Sequence, residues 1–591
     1  MQLRNETTWI LGLLGVWALI GTGCTSAPSG ATGWNYNDPT NGGFEKHAYG
    51  DQETGPGLVF VEGGTYTMGQ VDDDVNFAWD NIPRRVTVSS FYMDATEVTN
   101  AYYREYLYWL ERIHGQDNPE LVARATPDEA CWRRKLGYNE NYVKYYFRHP
   151  SYQDYPVVGV SWLQANDYCK WRTDRVNEQI LVREGLMAHA PDAQSAASYY
   201  TTDGYFNGKF ESGTEEGKVR SFNPNEDFRS IRLEDGLLLP EYRLPTEAEW
   251  EFAALGLIGN SYQELVAERR TYPWDGHFTR EDNSRSAYYG QMQANFMRGN
   301  GDLMGVAGSL NDNGDITVPV QTYAANDYGL FNMAGNVSEW VMDVYRPLST
   351  MDTEEFRPFR GNVYTTKEVA ADGTVADVYA STEYDLKFVR SELSEYQTKG
   401  AKGFTAGETK VIEDALRAIE TAEKQLQNKQ VDLAWEELDL FLEGLLDIDA
   451  PDVRNVADVR NFFARNITAR PGEVRYRPVR IEENMTRDNY RIADNIGYRD
   501  GDFESSIRYE GMFNASEEET EGTEEAPMYG YGKSTLINDR TRVYKGGGWD
   551  DRAYYLIPGT RRYLDESKSS ASIGFRCAMD RLGPPVQLSG Y

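Results

Sequence analysis

The chain has 591 residues, 40% hydrophobic and 13% aromatic, enough apolar material for a large core and, as a prior, about two to four domains, which excludes a wholly disordered chain. Ninety-three Asp and Glu against sixty Lys and Arg leave a formal charge of -33, a surface that repels phosphate backbones, so nucleic acid is not expected as a partner. Four cysteines are too few for a disulfide framework.

Arg4 precedes an apolar run over 9–20, too short to span a bilayer comfortably but suited to the hydrophobic region of a secretory signal. The run ends in Gly21-Thr22-Gly23-Cys24, and a cysteine directly after small residues resembles the acylation site of bacterial lipoproteins. Residues 1–23 are therefore expected to be removed and Cys24 to carry the lipid; because Gly21 stands where a Leu is usual, an unmodified exported cysteine is the alternative. Residues 24–56, rich in Ser, Gly, Asn and Pro, are expected to form a flexible tether. Cys131, Cys169 and Cys577 remain, compatible with one disulfide plus a free thiol or with three thiols.

From residue 57 the periodicities predict strands over 58–61 and 85–88, with Gly63 and Gly64 marking a turn between short strands. Thr99 or Asn100 caps a helix whose inner face carries Tyr102, Tyr103, Tyr106 and Leu107, and a second helix runs over about 162–177 with Cys169 in its core face. The stretch 179–229 reads as a helical start followed by a long surface loop. Thr246 and Glu249 have the spacing of a capping box. Further on, helices over 409–426 and 431–446 form a hairpin, 452–466 reads as a third helix, and the acidic run 516–527 reads as a solvated loop.

Five blocks stand in chain order: Pro156-Val157-Val158-Gly159-Val160-Ser161-Trp162, Arg243-Leu244-Pro245-Thr246-Glu247-Ala248-Glu249-Trp250, Asn332-Met333-Ala334-Gly335-Asn336-Val337-Ser338-Glu339-Trp340, Gly546-Gly547-Gly548-Trp549 and Ile573-Gly574-Phe575-Arg576-Cys577. Together they resemble the formylglycine-generating enzyme (sulfatase-modifying factor) family over 57–345 and 538–580. The resemblance implies an α+β fold, irregular and C-type-lectin-like, interrupted by a large, partly helical insertion over 346–537; residues 581–591 form a tail.

In that family two cysteine thiolates after the Gly-Gly-Ser segment hold copper, a soft ligand pair suited to Cu(I). Here Asp551 and Leu556 occupy those positions and Gly548 replaces the serine, so no catalytic residue and no copper are expected. The five histidines show no ligand spacing for an iron site. What the resemblance retains is oxygen for calcium: Asn332, the Gly335 and Val337 carbonyls and Glu339 for one site, and Asn295, the Phe296 carbonyl, Asp312 and the Gly314 carbonyl for another, both structural.

Signal, cysteine, degenerate domain and late insertion together resemble the gliding-motility lipoproteins of Bacteroidota, companions of the type IX secretion machinery. That resemblance implies an outer-membrane lipoprotein on the periplasmic face, a non-catalytic scaffold whose partners are the related lipoprotein K and its ring proteins. The alternatives are an unconventional, copper-independent oxidoreductase of the parent type and a calcium-dependent glycan- or peptide-binding module.

Overall fold

Short apolar runs become four strands at the start of the folded body: β1 (Leu58–Val61), β2 (Gly64–Met68), β3 (Arg84–Val88) and β4 (Phe91–Asp94). All four residues of β4 are buried, as in a strand covered on both faces. There follow α1 (Asn100–His114), α2 (Trp162–Arg183), β5 (Tyr242–Arg243), α3 (Glu247–Leu255), β6 (Ser338–Val344), β7 (Thr541–Lys545), β8 (Arg562–Asp565), β9 (Ile573–Gly574) and β10 (Ala578–Asp580). The computed structural model describes residues 28–299, 314–346 and 540–583 with short interruptions, and isolated pieces between 355 and 527. It divides into two units: Met1–Asp51 with Gln179–His189 and Glu211–Leu238, and a larger one holding the rest. Residues 1–27, most of 409–466, and 516–525 lie outside the described residues, so the signal, Cys24, the helical hairpin and most of the acidic loop are not placed.

In the larger unit one sheet has the order β1-β4-β10-β5 and a second β8-β7-β6-β9; every neighbouring pair is antiparallel except β6 with β9. Both sheets therefore combine strands from before residue 346 and after residue 537. The chain leaves and re-enters the second sheet side by side, with the Tyr345 amide donating to the Thr541 carbonyl at 2.8 Å. Helix α3 covers the core between them, where Tyr66, Met68, Phe91, Trp250, Phe252, Val341 and Val543 meet.

The helix grammar is observed. Thr99 caps α1, accepting from the Tyr102 amide, and Thr246 with Glu249 forms the reciprocal capping box of α3. The inner face of α1 differs from expectation: Tyr103, Tyr106, Leu110 and Ile113 are buried at helical spacing, whereas Tyr102 points outward. Helix α2 runs on to Arg183, and the expected loop beyond it contains the short helix Thr202–Phe206 and the paired strands Val219–Arg220 and Phe228–Arg229. Inside the fold, Cys169 on α2 faces Cys577 with 3.2 Å between the sulfur atoms; both are free thiols, as is Cys131.

The expected tether is a correction. From Pro28 on it is fixed in the smaller unit: Pro28 bridges Asn35, Asp38 caps the 3-10 turn Pro39–Asn41, and Glu45 accepts from the Phe222 amide and from Arg229. Gly43 has a φ of 73°, and a Cβ there would lie 1.9 Å from the Phe222 carbonyl oxygen, so only glycine allows this approach. A linker-like composition hides these contacts, because buried Arg229 demands two carboxylates and takes Glu45 and Asp235.

A buried charge cluster joins the last part of the larger unit to α3. Lys545 Nζ lies 3.3 Å from Glu247 and 3.0 Å from Glu251, Arg561 donates to both Glu247 oxygens, and Asp343 accepts the Glu247 amide at 2.7 Å. Burial opposes it, but Arg561 and Lys545 hold the Glu247 carboxyl down at about 2; burial and the Glu247 charge push Asp343 up to about 7. Removing one partner strands a buried charge. Lys545→Met is expected to cost about 3–5 kcal/mol in denaturant unfolding, and a loss under about 1 kcal/mol would show that the cluster contributes little.

The Asp343 carboxyl has a folded pKa above its unfolded 3.8, so its contribution is complete below about pH 4 and is lost as pH rises through about 7. Glu247 works in the opposite direction, its contribution present above about pH 4.5 and lost as pH falls through about 2. Unfolding free energy measured from pH 5 to 8 is expected to fall less steeply in Asp343→Asn than in the parent; identical slopes would refute the assignment.

Candidate functional site

The chain after β7 turns sharply at Gly546 and Gly547, and Gly548 then donates its amide to Asp551 Oδ2 at 2.7 Å. Arg562 on β8 grips the same carboxylate with both terminal nitrogens, at 2.6 and 2.7 Å, and reaches the Ser338 hydroxyl at 2.6 Å. The Tyr544 and Tyr555 rings flank its guanidinium, with centroids 4.7 and 4.4 Å away. Leu556 is fully buried with Tyr272, Met292, Ala294, Phe296, Ala334 and Ile557. The two positions thus hold a neutralised carboxylate and a hydrocarbon side chain in a filled apolar pocket. Neither offers a sulfur donor, and the cation already bound to Asp551 opposes a second one there. Burial pushes the Cys131 thiol up to about 12, and burial and the contact with Cys577 raise the Cys169 thiol.

A second constellation lies where the Asn332 to Glu339 loop runs into β6. Asn332 and Asn336 adopt positive φ, 51° and 64°, which asparagine tolerates best among residues with a Cβ. Their side-chain amides donate to the two oxygens of Glu97, Asn332 at 3.1 Å and Asn336 at 2.9 Å, and also to the Val320 and Val318 carbonyls. Glu339 accepts from Arg576 through both oxygens at 2.6 Å and from the Trp250 indole at 2.8 Å. Arg576 further binds the Asp94 and Phe331 carbonyls. Glu97, Glu339 and Arg576 are all buried, with the guanidinium bonded to Glu339 and the two asparagine amides to Glu97. Burial, only partly offset by Arg576, raises Glu97 to about 8. The Asn332 side-chain oxygen is buried and accepts no hydrogen bond.

These observations bear on the oxygen ligands expected for calcium. The free acceptor of Asn332 beside a surplus of buried carboxyl groups fits a bound cation. Glu339 fits less simply, because an ion there would share its carboxylate with Arg576. Gly335, with φ 81°, approaches so closely that a Cβ would lie 2.5 Å from the Asn295 carbonyl oxygen, and the Asn336 amide donates to that oxygen at 2.9 Å; the two expected sites are neighbours in space. Val337 is buried against Trp132 and Tyr146. At the second site a Cβ on Gly314 would meet the Asn295 Oδ1 and Ile316 carbonyl oxygens and a Val318 methyl, each at 2.9 Å, so two oxygens approach that glycine. Phe296 is buried in the Leu556 cluster, and Asp312 lies outside the described residues.

Sequence reasoning missed Glu97 and Arg562. Glu97 reads as a helix-entry residue before Thr99, and its only signal is an acid in a run that is otherwise buried. Among the described residues one other grouping can approach a metal, Glu45, His47 and Asp235, but Arg229 already lies between the two carboxylates, so it is an ion-pair lock.

Residues 44–386 match the sulfatase-modifying factor enzyme 1-like domain, more than half of the chain. The chain belongs to this family. It is similar to the formylglycine-generating enzyme of Mus musculus, 24% identical over 324 residues that cover 51% of this chain and 61% of that protein. The inactive C-alpha-formylglycine-generating enzyme 2 of Bos taurus is 23% identical over 334 residues, 51% of this chain and 75% of that one. A 101-residue stretch is 37% identical to the Thermomonospora curvata formylglycine-generating enzyme, 17% of this chain and 27% of that one. The chain thus matches only about six tenths of the mouse and bovine formylglycine-generating enzymes, 61% and 57% of their lengths. Among solved structures, PvdO from Pseudomonas aeruginosa aligns with a TM-score of 0.34 at 12% identity, covering 88% of this chain and 94% of that one. The mixed helices and strands of the larger unit are the fold of this family, which includes catalytic and inactive members.

Proposed function

We propose that this protein is a non-catalytic, lipid-anchored scaffold of the gliding-motility and type IX secretion machinery, built on a formylglycine-enzyme body that has lost its redox centre. The reading rests above all on the Asp551–Arg562 pair with Leu556 sealed beside it, because copper-thiolate chemistry has no donor there. Inactive relatives in the family support it. The resemblance to lipoprotein J of Bacteroidota supports attachment through Cys24 to the periplasmic face of the outer membrane, with lipoprotein K and its ring proteins as partners. Two outcomes are expected: copper and a cysteine-containing sulfatase peptide yield no aldehyde, and affinity isolation from solubilised envelopes recovers secretion or gliding components, fewer with a variant lacking 409–466. Aldehyde formation, or isolates without such components from both forms, would sink the proposal.

Calcium is the proposed resident ion, held by Asn332, Glu339 and the Gly335 and Val337 carbonyls, and by Asn295, Asp312 and the Phe296 and Gly314 carbonyls. It would supply fixed positive charge that ties irregular loops together and would take part in no bond making. The unpartnered Asn332 oxygen is the structural support for it. Calcium at a hundredfold excess over its Kd is expected to add about 2.7 kcal/mol to unfolding, read as a higher Tm, with the gain much reduced in Asn332→Ala. Equal Tm for the parent in calcium and in chelator would remove the ion from this account.

A further inference from the structure

The smaller unit presents aromatic side chains to solvent close to the expected lipid anchor. Trp34 is 60% and Phe44 69% exposed, and Phe228 and Leu233 are 59% and 72% exposed. These residues are held on fixed backbone. Pro28 bridges Asn35, and the Ser29 amide donates to the Trp34 carbonyl at 2.8 Å, so Trp34 is folded back beside Ser29. The Asn37 amide donates to the Phe44 carbonyl at 2.9 Å, and Phe44 lies against Tyr36 with ring centroids 5.7 Å apart. Buried Arg229 clamps Glu45 to Asp235, fixing the segments that carry Phe44, Phe228 and Leu233. Side chains this apolar gain by leaving water, and against the described residues of their own unit they stay more than half exposed.

The chain's reach identifies what covers them. Cys24 lies four residues before Pro28, and four extended residues span at most about 14 Å. An acyl group buried in a bilayer therefore keeps the Pro28–Trp34 turn within reach of the headgroup layer, where tryptophan is the favoured anchor. Asp227 adjoins Phe228, Leu233 stands between Arg232 and Glu234, and Lys46 lies over the Tyr36 ring beside Phe44, so both signs of charge accompany these side chains in a chain of charge -33, and the matching lipid surface is zwitterionic.

We propose that the smaller unit rests on the membrane through a face formed around Trp34 and Phe44, with Phe228 and Leu233 on the segments clamped to them, inserting into a zwitterionic lipid interface. This rests on the reading of Cys24 as the acylated residue. The face sets the orientation of the smaller unit on the membrane, so for that unit the lipid is not a free swivel.

The test uses the full chain carrying Cys24→Ser, which cannot be acylated, mixed with phosphatidylethanolamine–phosphatidylcholine vesicles. Co-sedimentation is expected, and adding Trp34→Ser and Phe44→Ser is expected to reduce it at least tenfold with an unchanged Tm, since both side chains are exposed. The proposal is overturned if the Cys24→Ser chain does not bind, if the triple variant binds equally well, or if binding requires anionic lipid. Self-association of the Cys24→Ser chain that disappears in the triple variant, without vesicle binding, would give the face to a second copy and equally overturn it. The intact mass of envelope-extracted wild type tests acylation of Cys24 separately, so a failed anchor and a failed face give different results.

Discussion

The Glu339–Arg576 pair is the contact on which the larger unit turns. It joins the second strand block, on β6, to the chain segment entering β10, and so ties the two sheets together. The guanidinium also holds the Asp94 and Phe331 carbonyls, while the carboxylate takes the indole of Trp250 at the centre of the core. One buried bidentate pair therefore orients α3, positions the Asn332 loop, and places Glu97 where its proton is held by burial. Such a pair repays its desolvation only when the remaining donors and acceptors are satisfied, and here four of the five guanidinium N–H groups have hydrogen bonds, one each from Nε and Nη1 and two from Nη2.

The turn after β7 follows a different logic. Arg562 supplies Asp551 with a fixed positive charge, and Ser338 and the Gly548 amide complete the arrangement. The turn is thereby kept in shape. Leu556 fills its side with hydrocarbon and excludes water. Charge compensation of Asp551 inside the chain needs no ion from outside.

Legibility in the sequence followed the range of the interactions. The capping box at Thr246 and Glu249, the Thr99 cap and the strands around Val61 and Val86 depend on neighbours within a few residues, and each was readable. The contacts of Asp551 with Gly548 and of Tyr555 with Arg552 are equally local, within three residues. Glu97 was opaque, since its partners Asn332 and Asn336 lie more than two hundred residues away. The folded state of residues 28–51 was equally hidden: the composition is that of a linker, and the order comes from Arg229 in a distant segment. Tyr102 illustrates a smaller failure, where four aromatic and aliphatic residues in one turn left the inward face ambiguous until the packing of Tyr103 and Tyr106 resolved it.

The hydrogen bond between Tyr345 and Thr541 has a consequence for how this architecture changes over time. Because the chain departs and returns at adjacent points of one antiparallel ladder, whatever lies between is, to the sheet, a long hairpin connection. The entropy of closing such a loop grows only with the logarithm of its length, each doubling adding about 0.6 kcal/mol. New modules can be acquired, lengthened or exchanged at this junction while the body beneath keeps its register.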